Sequence, residues 1–205
     1  TVYAGGFYSV LNTELPQNRL QTTVSVLNPK VIVTSESLLE TAKEYFSERK
    51  IVTFEDLAKS EPDYAKLGEI RNHKIDTDPL YINFTSGSTG TPKGIVVCHR
   101  SVIDFIDHFT EIFGIDNNDV IANQAPFDFD VSVKDIYSAV KTGATLVVVP
   151  RRMFSAPAEL IDFICDRRIT VMIWAVSALC LISTFHALDY RTPETVNKIL
   201  FSGEV

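Results

Sequence analysis

The sequence predicts an α/β fold of mostly parallel sheets with helices on both faces, and three observations predict it. Short β-branched runs and amphipathic helical stretches alternate at least three times along the chain. Strand–helix–strand connections of this kind are right-handed crossovers between parallel strands. The composition, 205 residues with 45% hydrophobic and 22% charged side chains, is that of an ordinary globular chain able to bury one large core or two small ones.

Taken in order, Leu20, Val24 and Leu27 recur at helical spacing between Pro16 and Asn28, and Pro29 stops that helix before the strand-like run Val31-Ile-Val-Thr34. Ser35 or Ser37 is expected to cap a second helix with Leu38, Leu39, Ala42, Tyr45 and Phe46 on one side. Ile51-Val-Thr-Phe54 reads as a strand, followed by a short helix over 55–60. From Glu61 to Asp78 the chain turns polar, which predicts a surface connection and a subdomain boundary within it, dividing the chain into 1–75 and 76–205.

In the second part, strand-like segments at 80–84 and 95–97 flank a Gly/Ser-rich loop. A helix over 99–113 places Ile103, Ile106, Phe109 and Phe113 on one face, with Gly114 as its stop. Then follow a strand at 120–124, a helix over 132–141 ended by Gly143, a strand at 145–149, a helix over 157–167, a strand at 169–174, a helix over 177–188 and a strand at 198–202. The longest apolar run, 169–182, is shorter than the roughly 20 residues that span a bilayer and is interrupted by Thr170 and Ser177. Membrane insertion is therefore not expected.

Charge and cysteine usage narrow the classes further. A net charge of −7 repels a nucleic-acid backbone, so basic residues such as Lys93 should act locally. Cys98, Cys165 and Cys180 are widely spaced, in apolar surroundings and without a C-x-x-C pair, which predicts reduced core residues and a cytoplasmic protein. The first residues show no signal-peptide pattern, and the absence of an initial Met predicts a natural start further upstream. His73 falls in the polar connection, and His108 and His186 in helices; none belongs to a Ser/His/Asp pattern.

The most specific stretch is Phe84-Thr-Ser-Gly-Ser-Thr-Gly-Thr-Pro-Lys-Gly94, where three glycines, five hydroxyls and one lysine sit between two strands. Glycines allow backbone N–H groups to converge, hydroxyls add short donors, and the lysine adds a mobile charge, so the loop reads as a grip for phosphate. A P-loop is excluded: Gly87 and Gly90 stand too close, Pro92 precedes the lysine, Gly94 follows it, and a strand rather than a helix comes next. The alternative is a flexible linker.

A second constellation is Phe127-Asp-Phe-Asp-Val-Ser132. If that segment is extended, Asp128 and Asp130 point the same way, and one of them could meet a cationic ligand group in an apolar pocket. The competing reading is an N-cap for the helix that follows. Because ligands of open α/β sheets bind at the carboxyl ends of strands, the loops after 84, 124 and 201 are expected to converge on one crevice.

Together these segments resemble the adenylate-forming enzymes, specifically their amino-acid-adenylating branch. The resemblance is carried by Thr85-Ser-Gly-Ser-Thr-Gly-Thr-Pro-Lys-Gly94 with His99 after it, by Phe129-Asp-Val-Ser132, and by Ala4-Gly-Gly-Phe-Tyr-Ser-Val-Leu-Asn-Thr-Glu-Leu-Pro-Gln-Asn-Arg19. Within the branch, Asn123-Gln-Ala-Pro-Phe-Asp-Phe-Asp-Val-Ser-Val-Lys-Asp-Ile-Tyr137 and Phe201-Ser-Gly-Glu-Val205 look most like the D-alanine:D-alanyl carrier protein ligases. The resemblance implies part of the large N-terminal domain of such an enzyme: 1–75 a partial α/β subdomain, 76–205 a nucleotide- and amino-acid-binding subdomain incomplete at its C-terminus, with the catalytic lysine and ribose contacts further on.

The resemblance also implies roles. Thr85, Ser86, Gly87, Ser88, Thr89 and Gly90 would hold ATP phosphates, Lys93 would follow the departing pyrophosphate, and Gly203 and Glu204 would lie near the adenine. Asp130 would bind the α-ammonium, and Val131, Lys134, Ile173, Leu200 and Ser202 would line the side-chain pocket. ATP and Mg²⁺ are the implied cofactors, a small amino acid and a phosphopantetheinyl carrier protein the implied partners. Ser202 departs from the cysteine of the D-alanine ligases, and Lys134 replaces a usually apolar residue, either snorkelling to water or pairing with an acidic substrate side chain. Trp174 is read as core. The alternatives are a peptide-synthetase adenylation domain selecting another amino acid and a non-catalytic nucleotide-binding module; an acyl-CoA synthetase has no cation for Asp130 to meet.

Overall fold

A computed structural model describes residues 1–85 and 92–202, with Ser202 described by its backbone alone. The backbone divides into two compact units, Thr1–His99 and Arg100–Val205.

In the first unit, α1 (Gln17–Leu27) buries Leu20, Thr23 and Val24 and ends at Asn28 in the left-handed conformation, φ 47°, ahead of Pro29. Strands β1 (Ile32–Thr34) and β2 (Ile51–Thr53) pair in parallel, Val33 opposite Val52, across the crossover helix α2 (Leu39–Tyr45). Neither Ser35 nor Ser37 caps that helix; their hydroxyls lie 2.8 Å apart and a 3-10 turn, Glu36–Leu38, leads into it. Helix α3 (Phe54–Ala58) is capped by Thr53, whose hydroxyl accepts the Asp56 N–H at 3.1 Å.

The polar stretch after it is not a loop. Asp63 accepts the Lys66 N–H at 3.0 Å and starts α4 (Tyr64–Asn72), which buries none of its residues. A helix without a buried face leaves no apolar period in the sequence, which is why composition alone misreads it. Strands β3 (Pro79–Thr85) and β4 (Lys93–Cys98) then pair antiparallel. Tyr8 extends this sheet by a parallel bridge to Tyr81.

In the second unit, α5 (His99–Phe113) buries Val102, Ile106, Phe109 and Thr110. There follow β5 (Val120–Asn123), α6 (Ser132–Thr142), β6 (Thr145–Val148), α7 (Pro157–Asp166), β7 (Val171–Ala175), α8 (Val176–Thr184), α9 (Ala187–Tyr190) and β8 (Lys198–Ser202). The four strands form one parallel sheet in the order β6-β5-β7-β8. Strand alternation sorts their side chains into two cores. Ala122, Met172 and Trp174 pack against Leu160, Ile161 and Ile164 of α7 and Ala178 and Ile182 of α8. Ile121, Val171 and Ile173 pack against Phe109 of α5 and Ala139 of α6 on the other face. Each fully buried Leu or Ile contributes roughly 2 kcal/mol, so these two layers hold the parallel sheet expected from the sequence.

Two expectations are corrected here. The apolar stretch over 177–188 is two helices, broken at His186, which takes a left-handed φ of 52° and lies in neither. Cys180 is exposed, and Cys98 and Cys165 are half-buried; all three are free thiols. Helix α8 is apolar nearly all round yet covers the sheet with one side only, so its cysteine faces outward. No helix among the described residues is long and apolar enough to cross a membrane.

Candidate functional site

The chain leaves β5 for β6 on one side and returns to β7 on the other, so the topological switch point lies between the carboxyl ends of β5 and β7. Side chains knit those ends together. The Trp174 indole N–H donates to the Ala122 carbonyl at 2.8 Å, and Gln124 Oε1 accepts the Ala175 N–H at 3.2 Å. Trp174 is 2% exposed and packs edge-on against Phe154, a core residue as read.

Residues 126–131, between β5 and α6, are turns rather than an extended segment. Pro126 O accepts the Phe129 N–H at 3.0 Å, Phe129 O accepts the Ser132 N–H at 3.1 Å and its hydroxyl at 2.8 Å, and Asp130 O accepts the Val133 N–H at 3.1 Å. The alternation argument for Asp128 and Asp130 therefore does not apply: Asp130 is exposed and Asp128 half-buried. Neither caps α6, whose N-cap position is Val131 without a side-chain bond. Backbone carbonyls close this helix start, so the aspartates are left over.

Val131 and Lys134 are both half-buried at the start of α6. Ile173 lies opposite Leu200 and Ala175 opposite Ser202 in the β7–β8 register. Ile173 belongs to the core cluster that includes Ala139 of α6, and Leu200 packs against it. Asp130, Val131 and Lys134 at the start of α6 and Ile173, Leu200 and Ser202 on β7 and β8 all belong to the second unit.

In the first unit, Thr85 and Lys93 are cross-strand partners at the loop end of the β3–β4 hairpin, both exposed. Gly94 pairs with Phe84, and a side-chain carbon added there would stand 3.0 Å from Ile82 Cγ2. Its role is close cross-strand packing. Ser86, Gly87, Ser88, Thr89 and Gly90, and likewise Gly203 and Glu204, lie outside the described residues. An open depression lined by Gly5, Glu69, Ile70, His73, Lys74 and Asp78 includes none of the predicted site residues.

Sequence reasoning missed a buried polar set beneath the turn. Asn123 Nδ2 donates both to the Ala125 carbonyl at 3.1 Å and to Asp135 Oδ2 at 2.7 Å. Asp135 and Ser138 are 0% exposed, and among the described residues neither Asp135 Oδ1 nor the Ser138 hydroxyl has a hydrogen-bond partner. Burial pushes the Asp135 carboxyl up to about 7 against the opposing pull of the Asn123 amide and the Lys134 charge. The available signal was Ser132, Asp135, Ser138 and Thr142, a polar stripe at helical spacing that reads as a solvated face. Instead Ser132, Asp135 and Ser138 are buried while Val140 is 73% exposed.

A family model for the AMP-binding enzymes matches residues 1–205. The chain belongs to the AMP-binding enzyme family. A curated member, the D-alanine–D-alanyl carrier protein ligase of Staphylococcus aureus, is 29% identical over 206 residues, covering 100% of this chain and 40% of that protein. The chain thus spans about 40% of the length of the curated relatives it matches. Among solved structures, the nonribosomal peptide synthetase FmoA3 bound to alpha-methyl-L-serine-AMP superposes with a TM-score of 0.81 at 21% identity, covering 99% of this chain and 22% of that one. ATP-bound MatB from Rhodopseudomonas palustris gives 0.76 at 17% identity, covering 98% and 41%. These likenesses show the fold, that of the N-terminal domain of adenylate-forming enzymes.

Proposed function

We propose that this chain is the phosphate-gripping and substrate-reading part of an enzyme that activates a small, D-alanine-like amino acid as its aminoacyl-adenylate and transfers it to a carrier-protein thiol. The observation that carries this reading is the match of the whole chain to the AMP-binding family, with a D-alanyl carrier protein ligase among its curated relatives. In the reaction, a carboxylate oxygen attacks the α-phosphorus of ATP, the bond to pyrophosphate breaks, and a phosphopantetheine thiol then displaces AMP from the acyl carbon. Charge gathers on phosphate oxygens, so oriented donors are what the first step needs. Thr85, Ser86, Gly87, Ser88, Thr89, Gly90 and Lys93 would supply them, and Asp130, exposed above the α6 start, would pair with the α-ammonium. Val131, Lys134, Ile173, Leu200 and Ser202 would line the pocket, and Gly203 and Glu204 the adenine site.

Magnesium would neutralise the triphosphate. Among the described residues no group of three or more His, Cys, Asp or Glu side chains could hold a metal, so the fit is to a cation carried largely by phosphate and water oxygens.

One observation favours a second substrate reading. Lys134 stands half-buried in the first turn of α6, where the helix dipole disfavours a cation. A substrate with an acidic side chain would give it a partner.

Pyrophosphate exchange by the full-length protein tests both readings. Exchange with D-alanine or another small neutral amino acid supports the first, a strong preference for aspartate or glutamate supports the second, and no exchange with any amino acid refutes the function. The 205-residue chain alone is expected to show little or no turnover.

A further inference from the structure

We propose that Asp135 is a positioning residue that sets the Asp130-bearing turn from beneath, acting through the Asn123 amide. Its functional consequence rests on the amino-acid-activating reading above; its structural part does not.

The geometry is that of a closed ring. Asn123 is the last residue of β5, and Asp135 lies in the first turn of α6. Their 2.7 Å bond joins the two ends of the segment 123–135, and Asp130 lies inside the ring it closes. The same Asn123 nitrogen donates its other hydrogen to the Ala125 carbonyl, where the chain leaves the strand for the turn. Both amide hydrogens are used, so the amide plane is fixed by the carboxyl on one side and by the backbone on the other. At the far end, Ser132 returns its hydroxyl to Phe129 O.

The carboxyl is otherwise hard to explain. It is fully buried, and among the described residues one of its oxygens has no partner while the other is bonded to Asn123. An apolar side chain would fill such a site without the desolvation cost, and replacing buried ionic groups by apolar ones is often neutral or stabilising. Burial also holds Asp135 half-protonated near neutral pH, where the ionised form strengthens the bond to Asn123. The arrangement gives up stability to fix the position of one turn, whose exposed residues are Pro126, Phe127, Phe129 and Asp130, with Asp130 the charged one among them.

Hydrogen exchange and kinetics on the full-length protein test this. In Asp135→Leu, the amides of Phe129, Ser132 and Val133 should exchange about tenfold faster, with those of β6 and α7 unchanged, as local opening requires. In Asp135→Asn, which keeps an acceptor, most of the protection should return. In pyrophosphate exchange with D-alanine, glycine or aspartate as probe, Asp135→Leu should raise the amino-acid KM about tenfold while the ATP KM stays within about twofold. Unchanged exchange in the turn, or equal acceleration across the whole unit, overturns the proposal, as does an equal rise in both KM values. If Asp135→Leu does not fold, Asn123→Ala breaks the same ring from the other side and must accelerate the same three amides; wild-type rates there overturn it. Should the wild type exchange pyrophosphate with no amino acid, the activating function fails while the hydrogen-exchange arm still decides the positioning.

Discussion

Asp119 and Asp135 are both buried carboxyl groups of the second unit, and their surroundings push them in opposite directions. Burial raises Asp119, but the Thr170 hydroxyl at 2.7 Å, the Asp116 N–H at 3.0 Å and the Lys198 ammonium at 3.0 Å outweigh it and hold the group below the usual carboxylate range. Its ionised form therefore stabilises the fold above the unfolded carboxylate range near 4, and that contribution is lost as pH falls through the depressed folded value. Asp119→Asn should cost about 1–2 kcal/mol at neutral pH, the range for a partly exposed charge-assisted network, and progressively less below about pH 4. For Asp135 the sign reverses. With its folded value pushed up to about 7, the native state holds a proton that the unfolded chain releases near 4, so stability falls as pH rises across that window. The slope integrates to roughly 4 kcal/mol at most, and urea titrations at several pH values should show it in the wild type and lose it in Asp135→Asn.

Elements show what the sequence could and could not disclose. Strands β5, β7 and β8 and helices α5 and α7 were legible as elements, with a clear stop such as the left-handed Gly114 after α5, although the buried face of α5 is Val102, Ile106, Phe109 and Thr110, and Ile103 and Phe113, expected on it, are exposed. Helix α4 was not, since it has no buried face, and the α8–α9 break was hidden because apolar residues continue through it. The α6 start was the more serious gap: a period-3.6 reading assigns polar stripes to solvent, whereas Ser132, Asp135 and Ser138 face inward. The geometry of the candidate site was not legible, because the turn over 126–131 is made by backbone carbonyls that no side-chain pattern reports. In the β3–β4 hairpin, the loop composition pointed to phosphate, while Gly94 answers to packing. Alanine there gains roughly 0.5–1 kcal/mol of strand propensity and meets Ile82 at 3.0 Å, so the two effects nearly cancel. Valine adds two more methyls at the same contact, and Gly94→Val should destabilise by about 2 kcal/mol in thermal unfolding. A melting temperature equal to wild type would remove the packing role.

At the scale of the whole molecule, the surface has two features that act against each other. Strand β8 is an edge of the parallel sheet among the described strands, and its Ile199 and Phe201 are 52% and 66% exposed. Ile95 and Val96 of β4 are likewise outward at 51% and 57%. An edge strand with apolar side chains is a template for pairing with another chain, and because Lys198 of β8 is drawn onto Asp119, Ile199 and Phe201 are left as the exposed part of that edge. Opposing this is a net charge of −7, which makes like molecules repel. The balance depends on salt. At about 0.01 M the screening length is near 30 Å and the repulsion reaches across a molecule; near 1 M it shrinks to about 3 Å and only the apolar contact remains. The 205-residue chain by itself should therefore be monomeric at low salt and associate as salt rises, at concentrations on the order of tens of micromolar. Sedimentation velocity at several salt concentrations would follow this. Phe201→Lys together with Ile199→Lys should suppress the association without lowering the melting temperature by more than about 1 kcal/mol equivalent, since both side chains are already in water. Association that weakens with salt, or that survives the double substitution, would mean that charge rather than the β8 edge brings the chains together.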